Sequence, residues 1–88
     1  MKRVRIGSKS LWEIHILGLT FLQSYETIVA VKIGDKYKRT NKRYSVTTSK
    51  HLNQWCDEPC ELIDQQALTD LYYETLVNES RQVNQWNA

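Results

Sequence analysis

Polar and apolar residues alternate in several segments of the first forty positions, and that spacing is typical of β-strands rather than helices. The clearest segment is residues 26–33, in which Val29 would share one face with Val31 and Ile28 would lie on the other. Because both faces are mostly apolar, we expect this segment to be a central strand. Similar alternation predicts further strands at residues 2–6, 11–17, 20–25 and 36–40.

The apolar spacing becomes helical in the second half of the chain. Leu52, Trp55 and Cys56 recur at intervals of three and four, so we predict a helix that ends near Trp55. Asp64 can cap a second helix, because its carboxylate can accept from N–H groups of the first turn. The sequence therefore predicts one small α+β domain over residues 1–88. It would have a mostly antiparallel sheet of about four to five strands, followed by two C-terminal helices packed on one face.

Charge is distributed unevenly along the chain. Residues 1–50 carry eleven Lys and Arg against three acidic residues, a net charge of +8. Residues 51–88 carry one Arg against seven acidic residues, a net charge of −6, which leaves the whole chain at +2. This asymmetry predicts an anionic partner for the first half. The alternative is that the two halves attract each other within the fold.

Basic, aromatic and hydroxyl side chains are concentrated in residues 36–55. Hydroxyls at a helix start can cap its first N–H groups, and the positive end of the helix dipole favours an anion there. We therefore predict a surface that contacts nucleic-acid phosphates, formed by Lys38, Arg39, Lys42, Arg43, Tyr44, Thr47, Thr48, Ser49, Lys50 and His51. The alternative is that the hydroxyls only cap the helix and that residues 36–40 form a sheet edge, where lysines discourage aggregation.

The sequence carries no recognised catalytic or cofactor motif. A Gly-rich loop does not precede either predicted helix, which excludes a P-loop. The spacing of His51, Cys56 and Cys60 is not a known zinc pattern, and two cysteines do not make a disulfide scaffold. We therefore expect a protein that is not an enzyme and has no cofactor or metal. With no signal peptide and no apolar run of roughly 18 residues, we expect it in the cytoplasm, without a membrane partner.

Two short segments carry a distinctive residue pattern. Residues 24–30 read Ser-Tyr-Glu-Thr-Ile-Val-Ala, and residues 44–55 read Tyr-Ser-Val-Thr-Thr-Ser-Lys-His-Leu-Asn-Gln-Trp. These segments resemble a family of small uncharacterised phage- and plasmid-encoded proteins. That family has a Ser-Tyr-x-Thr-x-Val-Ala strand and a Tyr-Ser-x-Thr-Thr-Ser-Lys-His-x-Asn-x-Trp segment. The resemblance implies an origin in a mobile element, and hence the cytoplasm of a host cell, but it implies no particular chemistry.

These observations predict a small, non-enzymatic phage or mobile-element protein. It would contact the phosphate backbone of DNA or RNA through the basic hairpin and the helix N-terminus. The alternative function is an anti-CRISPR or other anti-defence inhibitor that binds a host defence protein. A homodimer is a further possibility, formed through apolar residues of the last helix such as Val77, Val83 and Trp86.

Overall fold

The computed structural model describes residues 1–7, 10–56 and 60–86, and it describes side chains as far as Arg81. Within those residues, six strands form one sheet in chain order. The strands are β1 (Lys2–Arg5), β2 (Leu11–Ile16), β3 (Leu19–Ser24), β4 (Thr27–Ile33), β5 (Lys36–Thr40) and β6 (Cys60–Ile63). The helices are α1 (Val46–Trp55) and α2 (Gln65–Trp86). The first five strands are antiparallel neighbours and β6 is parallel to β5, so the predicted α+β class with a mostly antiparallel sheet is confirmed.

β6 was not predicted, and it makes the sheet larger than the four to five strands expected. This strand reads Cys-Glu-Leu-Ile, and the adjacent apolar residues Leu62 and Ile63 break the alternation that would have revealed it. It forms because α1 carries the chain back alongside β5, and parallel neighbours need such a crossover. The backbone N–H of Asn41 donates to the carbonyl of Ile63 at 2.8 Å, which extends this pairing. Because β5 lies between β4 and β6, it is not the edge strand that its lysines suggested.

β4 contains a β-bulge, which changes the face of the sheet to which some of its side chains point. Ile28 and Ala30 pair with consecutive residues of β3, so Val29 is the extra residue in β4. Val29 packs in the same cluster as Ala30, whereas Ile28 packs with Val31. The prediction that Val29 shares a face with Val31 is therefore wrong, because simple alternation does not include the extra residue. The bulge therefore places Val29 on the same face as Ala30 and on the opposite face from Val31.

The two helices cover opposite faces of the sheet. Consecutive residues of a strand point to opposite sides, and Phe21 and Leu22 belong to different clusters. The cluster on the α2 face contains Ile14, Ile16, Phe21, Ile28, Val31 and Leu68. The cluster on the α1 face contains Leu11, Leu22, Val29, Ala30 and Leu52. The expectation that both helices pack on one face is wrong, because α1 serves as the β5–β6 crossover on one side and α2 follows β6 across the other.

A hydroxyl caps the start of α1, and a carboxylate caps the start of α2. The Ser45 hydroxyl accepts from the backbone N–H of Thr48 at 3.1 Å. The Asp64 carboxylate accepts from the backbone N–H groups of Gln66 at 3.1 Å and Ala67 at 3.3 Å, as predicted. These bonds satisfy donors that have no partner inside the helix. In the described part of the chain, no helix is both long and apolar enough to cross a membrane.

Candidate nucleic-acid interface

A groove of about 450 Å³ opens on the α1 face, where β5, the segment after it, α1 and β6 meet. We call it the basic groove. The residues that line it are Arg39, Thr40, Asn41, Lys42, Arg43, Tyr44, Thr48, Ser49, Leu52, Cys60 and Leu62. Two of these residues come from β6, so the strand that was not predicted helps to form one side of the groove.

The basic groove is strongly cationic. Arg39, Lys42 and Arg43 line it, and none of its described lining residues is acidic. Within the described residues, no carboxylate lies within ion-pair distance of these three cations. Ion pairs between the basic and acidic halves of the chain lie away from the groove: the Lys38 ammonium is 3.9 Å from the Glu61 carboxylate, and the N-terminal ammonium of Met1 is 2.9 Å from the Glu79 carboxylate. The charge of the groove is therefore available to an anionic ligand.

Neighbouring side chains orient two of the cations. Nη1 of Arg39 donates to Oδ1 of Asn53 at 3.0 Å, which ties β5 to the middle of α1. The ammonium of Lys42 lies 5.3 Å from the ring centroid of Tyr44. Burial raises the pKa of Tyr44, so its phenol stays neutral and adds no negative charge to the groove. Arg39 and Lys42 are thus oriented at the groove by contacts within the protein.

The structure brings together six of the ten predicted contact residues. The groove-lining members of the set are Arg39, Lys42, Arg43, Tyr44, Thr48 and Ser49. Thr47 and Lys50 are exposed on α1, outside the groove lining. Lys38 pairs with Val31 in the sheet, so it lies on the α2 face, away from the groove. The alternation of β5 thus divides the basic residues between two faces.

Thr48 and His51 are buried, and their side chains bond inside the fold. The Ser24 hydroxyl lies 3.1 Å from the Thr48 hydroxyl and 3.1 Å from Nδ1 of His51. The Ser45 hydroxyl donates to that of Thr48 at 3.2 Å. We call these four residues the hydroxyl–imidazole network. Since only 4% of Thr48 and 7% of His51 are exposed, the network joins α1 to β3, and these two side chains are not surface contacts for a large ligand.

Ser24 is the hydrogen-bond partner of Thr48 and His51 that reasoning from the sequence missed. The sequence did hold a signal for this contact. Ser24 belongs to the first patterned segment, residues 24–30, and Thr48 and His51 belong to the second, residues 44–55. The network shows that the two segments meet in the fold. A serine beside an imidazole is also the geometry of an activated nucleophile. Ser24 is only 2% exposed and lines none of the described pockets, so we assign the network a structural role.

Trp55 anchors the far end of α1 to the sheet. Its indole Nε1 donates to Oε2 of Glu13 at 2.8 Å, and its ring packs nearly perpendicular to that of Tyr37 at a centroid separation of 5.4 Å. Among the described residues, no three His, Cys, Asp or Glu side chains are grouped so that they could hold a metal ion. The α1 face is therefore built from polar side-chain bonds around a small apolar cluster, beside an open cationic groove.

Comparison with known proteins gives one family match. No curated protein matches the chain, and no solved structure matches it. The matched region of the family profile is residues 2–70, which includes all six strands, α1, the basic groove and the hydroxyl–imidazole network. The chain belongs to DUF8033, a family of unknown function.

Proposed function

We propose that this protein is a non-enzymatic binding protein that holds the phosphate backbone of a nucleic acid in the basic groove. One observation carries the proposal: three cations surround a concave surface whose described lining residues include no carboxylate. Charge-assisted hydrogen bonds from arginine and lysine are the commonest means by which proteins hold phosphate oxygens. Arg39 uses one N–H group on Asn53, and its planar fork keeps further donors for a ligand.

The start of α1 adds to this surface. Its N-terminal end carries the positive end of the helix dipole, which favours an anion nearby. Ser49 in the second turn lines the groove, and the exposed Thr47 and Lys50 could extend a contact along α1. We propose in addition that the protein comes from a phage or plasmid. The residue patterns of segments 24–30 and 44–55 support that origin.

Charge reversal tests the proposal directly. Fluorescence anisotropy would follow labelled DNA and RNA oligonucleotides at low and near-physiological salt. The triple variant R39E/K42E/R43E should abolish saturable binding at low salt. In the unmodified protein, affinity should fall steeply with salt, by a log–log slope of about 0.9 for each phosphate contacted in duplex DNA and about 0.7 in a single strand.

A matched control separates the groove from net charge. K2E/K36E/R81E makes the same change in net charge at exposed residues outside the groove. It should retain most of the affinity, and circular dichroism should confirm that both triple variants are folded. Binding that survives in the groove variant, or that is lost equally in the control, would contradict the proposal.

A second candidate function is inhibition of a host defence protein, as an anti-CRISPR or similar anti-defence factor does. Two exposed apolar side chains favour it: Leu62 at the groove is 69% exposed, and Val46 at the start of α1 is 72% exposed. Apolar residues beside a cationic patch suit the acidic surface of a protein. This function predicts no nucleic-acid binding at low salt, together with a stable complex with a purified defence protein in size-exclusion chromatography.

The homodimer remains a prediction. Val77 on α2 is 49% exposed, which suits a contact between copies, whereas the side chains of Val83 and Trp86 lie outside the described residues. Light scattering of the purified protein would give its oligomeric state.

A further inference from the structure

We infer that the basic groove takes an unpaired nucleotide of a single strand, with its phosphate against the cations and its base against the apolar part of the groove. The inference rests on the proposed function and narrows it to one class of nucleic acid. The observation behind the inference is that the groove lining has a charged part, with Arg39, Lys42 and Arg43, and an apolar part, with Leu52 and Leu62.

The apolar part centres on Leu62. Leu62 of β6 pairs with Arg39 of β5, so the two side chains project from the same face of the sheet next to each other. Leu52 of α1 lies beneath the same groove. Leu62 is 69% exposed although it lines the groove together with Leu52, so most of its own apolar side chain stays in contact with water. A phosphate would leave that surface exposed, whereas the face of a base would cover it.

The shape of the groove distinguishes a single strand from a duplex. Its volume of about 450 Å³ is that of a small-ligand pocket, typically about 300–1,000 Å³. In a duplex the bases are paired and stacked inside, so a duplex could place phosphates on Arg39, Lys42 and Arg43 but could not cover Leu62. An unpaired base can rotate away from its neighbours and enter the groove while its phosphate stays at the cations.

The polar lining of the groove also suits a base. Asn41 and Ser49 contribute an amide and a hydroxyl, and both are uncharged. Such groups can hydrogen-bond the edge of a base without a charge that would favour phosphate in that position. Every base presents an apolar face, so we expect contact with Leu62 to tolerate many sequences.

Three probes test the inference by fluorescence anisotropy. They are a labelled strand of about twelve nucleotides, the same strand in a duplex, and an abasic strand of equal length. The single strand should bind about tenfold more tightly than either of the others, because only it supplies a free base. The L62S variant should weaken single-strand binding about fivefold, from the lost apolar contact, and leave duplex and abasic binding unchanged.

Val46 provides the matched control for Leu62. It is 72% exposed but lies outside the groove lining, so V46S should change the binding of none of the three probes. Both positions are on the surface, and thermal unfolding should verify that both variants keep the wild-type stability. The comparison of probes on the unmodified protein does not depend on any variant being folded.

The outcomes separate the inference from the proposed function. Duplex or abasic binding as tight as that of the single strand, still abolished by R39E/K42E/R43E, would overturn the inference and leave the proposed function standing. Displacement of the strand by equal concentrations of nucleoside monophosphates would also overturn it, since no strand would then be needed. Absence of binding to all three probes at low salt would contradict both the inference and the proposed function.

Discussion

The two faces of the sheet are built in different ways. The 22-residue α2 covers its face with an apolar cluster in which Phe21 and Leu68 are fully buried. The 10-residue α1 covers the other face only partly. Side-chain hydrogen bonds between His51 and Ser24, Trp55 and Glu13, and Asn53 and Arg39 hold it to the sheet. The shorter helix leaves the end of the sheet beside β6 uncovered, and the basic groove occupies that space.

This difference separates stability from binding within a small domain. Burial of apolar surface is the main source of folding free energy, and the α2 face supplies most of the large buried side chains. Polar bonds contribute less net stability, but they fix geometry because each needs a particular distance and direction. We therefore expect substitutions on the α2 face to act on stability and substitutions around the groove to act on binding.

The largest effect should follow truncation of Leu68, which is fully buried at the centre of the α2 face. L68A should lower the free energy of unfolding by about 2–5 kcal/mol, through lost burial and the cavity left behind. Urea denaturation would measure it, with L62A as a control at an exposed leucine. A loss of less than about 1 kcal/mol would mean that the α2 face is not the main source of stability.

A smaller effect should follow loss of the Ser24 hydroxyl. S24A removes one hydrogen-bond partner of Thr48 and one of His51, and it should lower the free energy of unfolding by about 1–3 kcal/mol because two buried polar groups each lose a hydrogen bond. Urea denaturation would again measure the loss. S80A is the control at an exposed serine on α2. Equal stability of S24A and S80A would show that the network does not hold α1 in place.

Asn53 should affect binding more than stability. Its amide oxygen accepts from Arg39 at an exposed site, so N53A should cost only about 0.5 kcal/mol of stability. Loss of that bond frees the guanidinium to rotate, and nucleic-acid affinity should fall about twofold to threefold. Anisotropy titration would detect this change, with Q54A as the control, because Gln54 is the next residue of α1 and is also exposed. Identical affinities for the two variants would count against a positioning role for Asn53.

The smallest expected effect is on the pH dependence of stability in the alkaline range. Burial first, and then the neighbouring Tyr73, raise the pKa of Tyr72, while Arg3 lowers it. A tyrosine in the unfolded chain ionises near its ordinary pKa of about 10, so the unfolded state releases its proton first. The free energy of unfolding should therefore fall as the pH rises above that value. Y72F should reduce this fall when urea denaturation is compared at neutral and alkaline pH, and an unchanged pH dependence would contradict the assignment.

The part of the fold that depends on local patterning could be predicted. Alternation located the first five strands to within a residue or two, and helical spacing located α1. The cap at Asp64 followed from the chemistry of its side chain. The basic segment also identified the place where the groove lies, because charge and hydroxyl content are visible in the sequence.

The features that were missed depend on contacts between distant residues. β6 is a strand because β5 lies beside it, and its four residues do not show this alone. The bulge at Val29 depends on the register with β3. Thr48 and His51 resemble surface groups in the sequence, but Ser24 binds them in the interior.

The sequence by itself therefore determined the element types, the helix caps and the location of positive charge, since these depend on neighbours within a few residues. The tertiary structure decided which face each helix covers, which basic residues share the groove and which hydroxyls are buried. Lys38 and Arg39 illustrate the division: they are adjacent in the chain, but alternation places them on opposite faces of the sheet. Only the packing of α1 and β6 on one of those faces makes Arg39, and not Lys38, part of the groove.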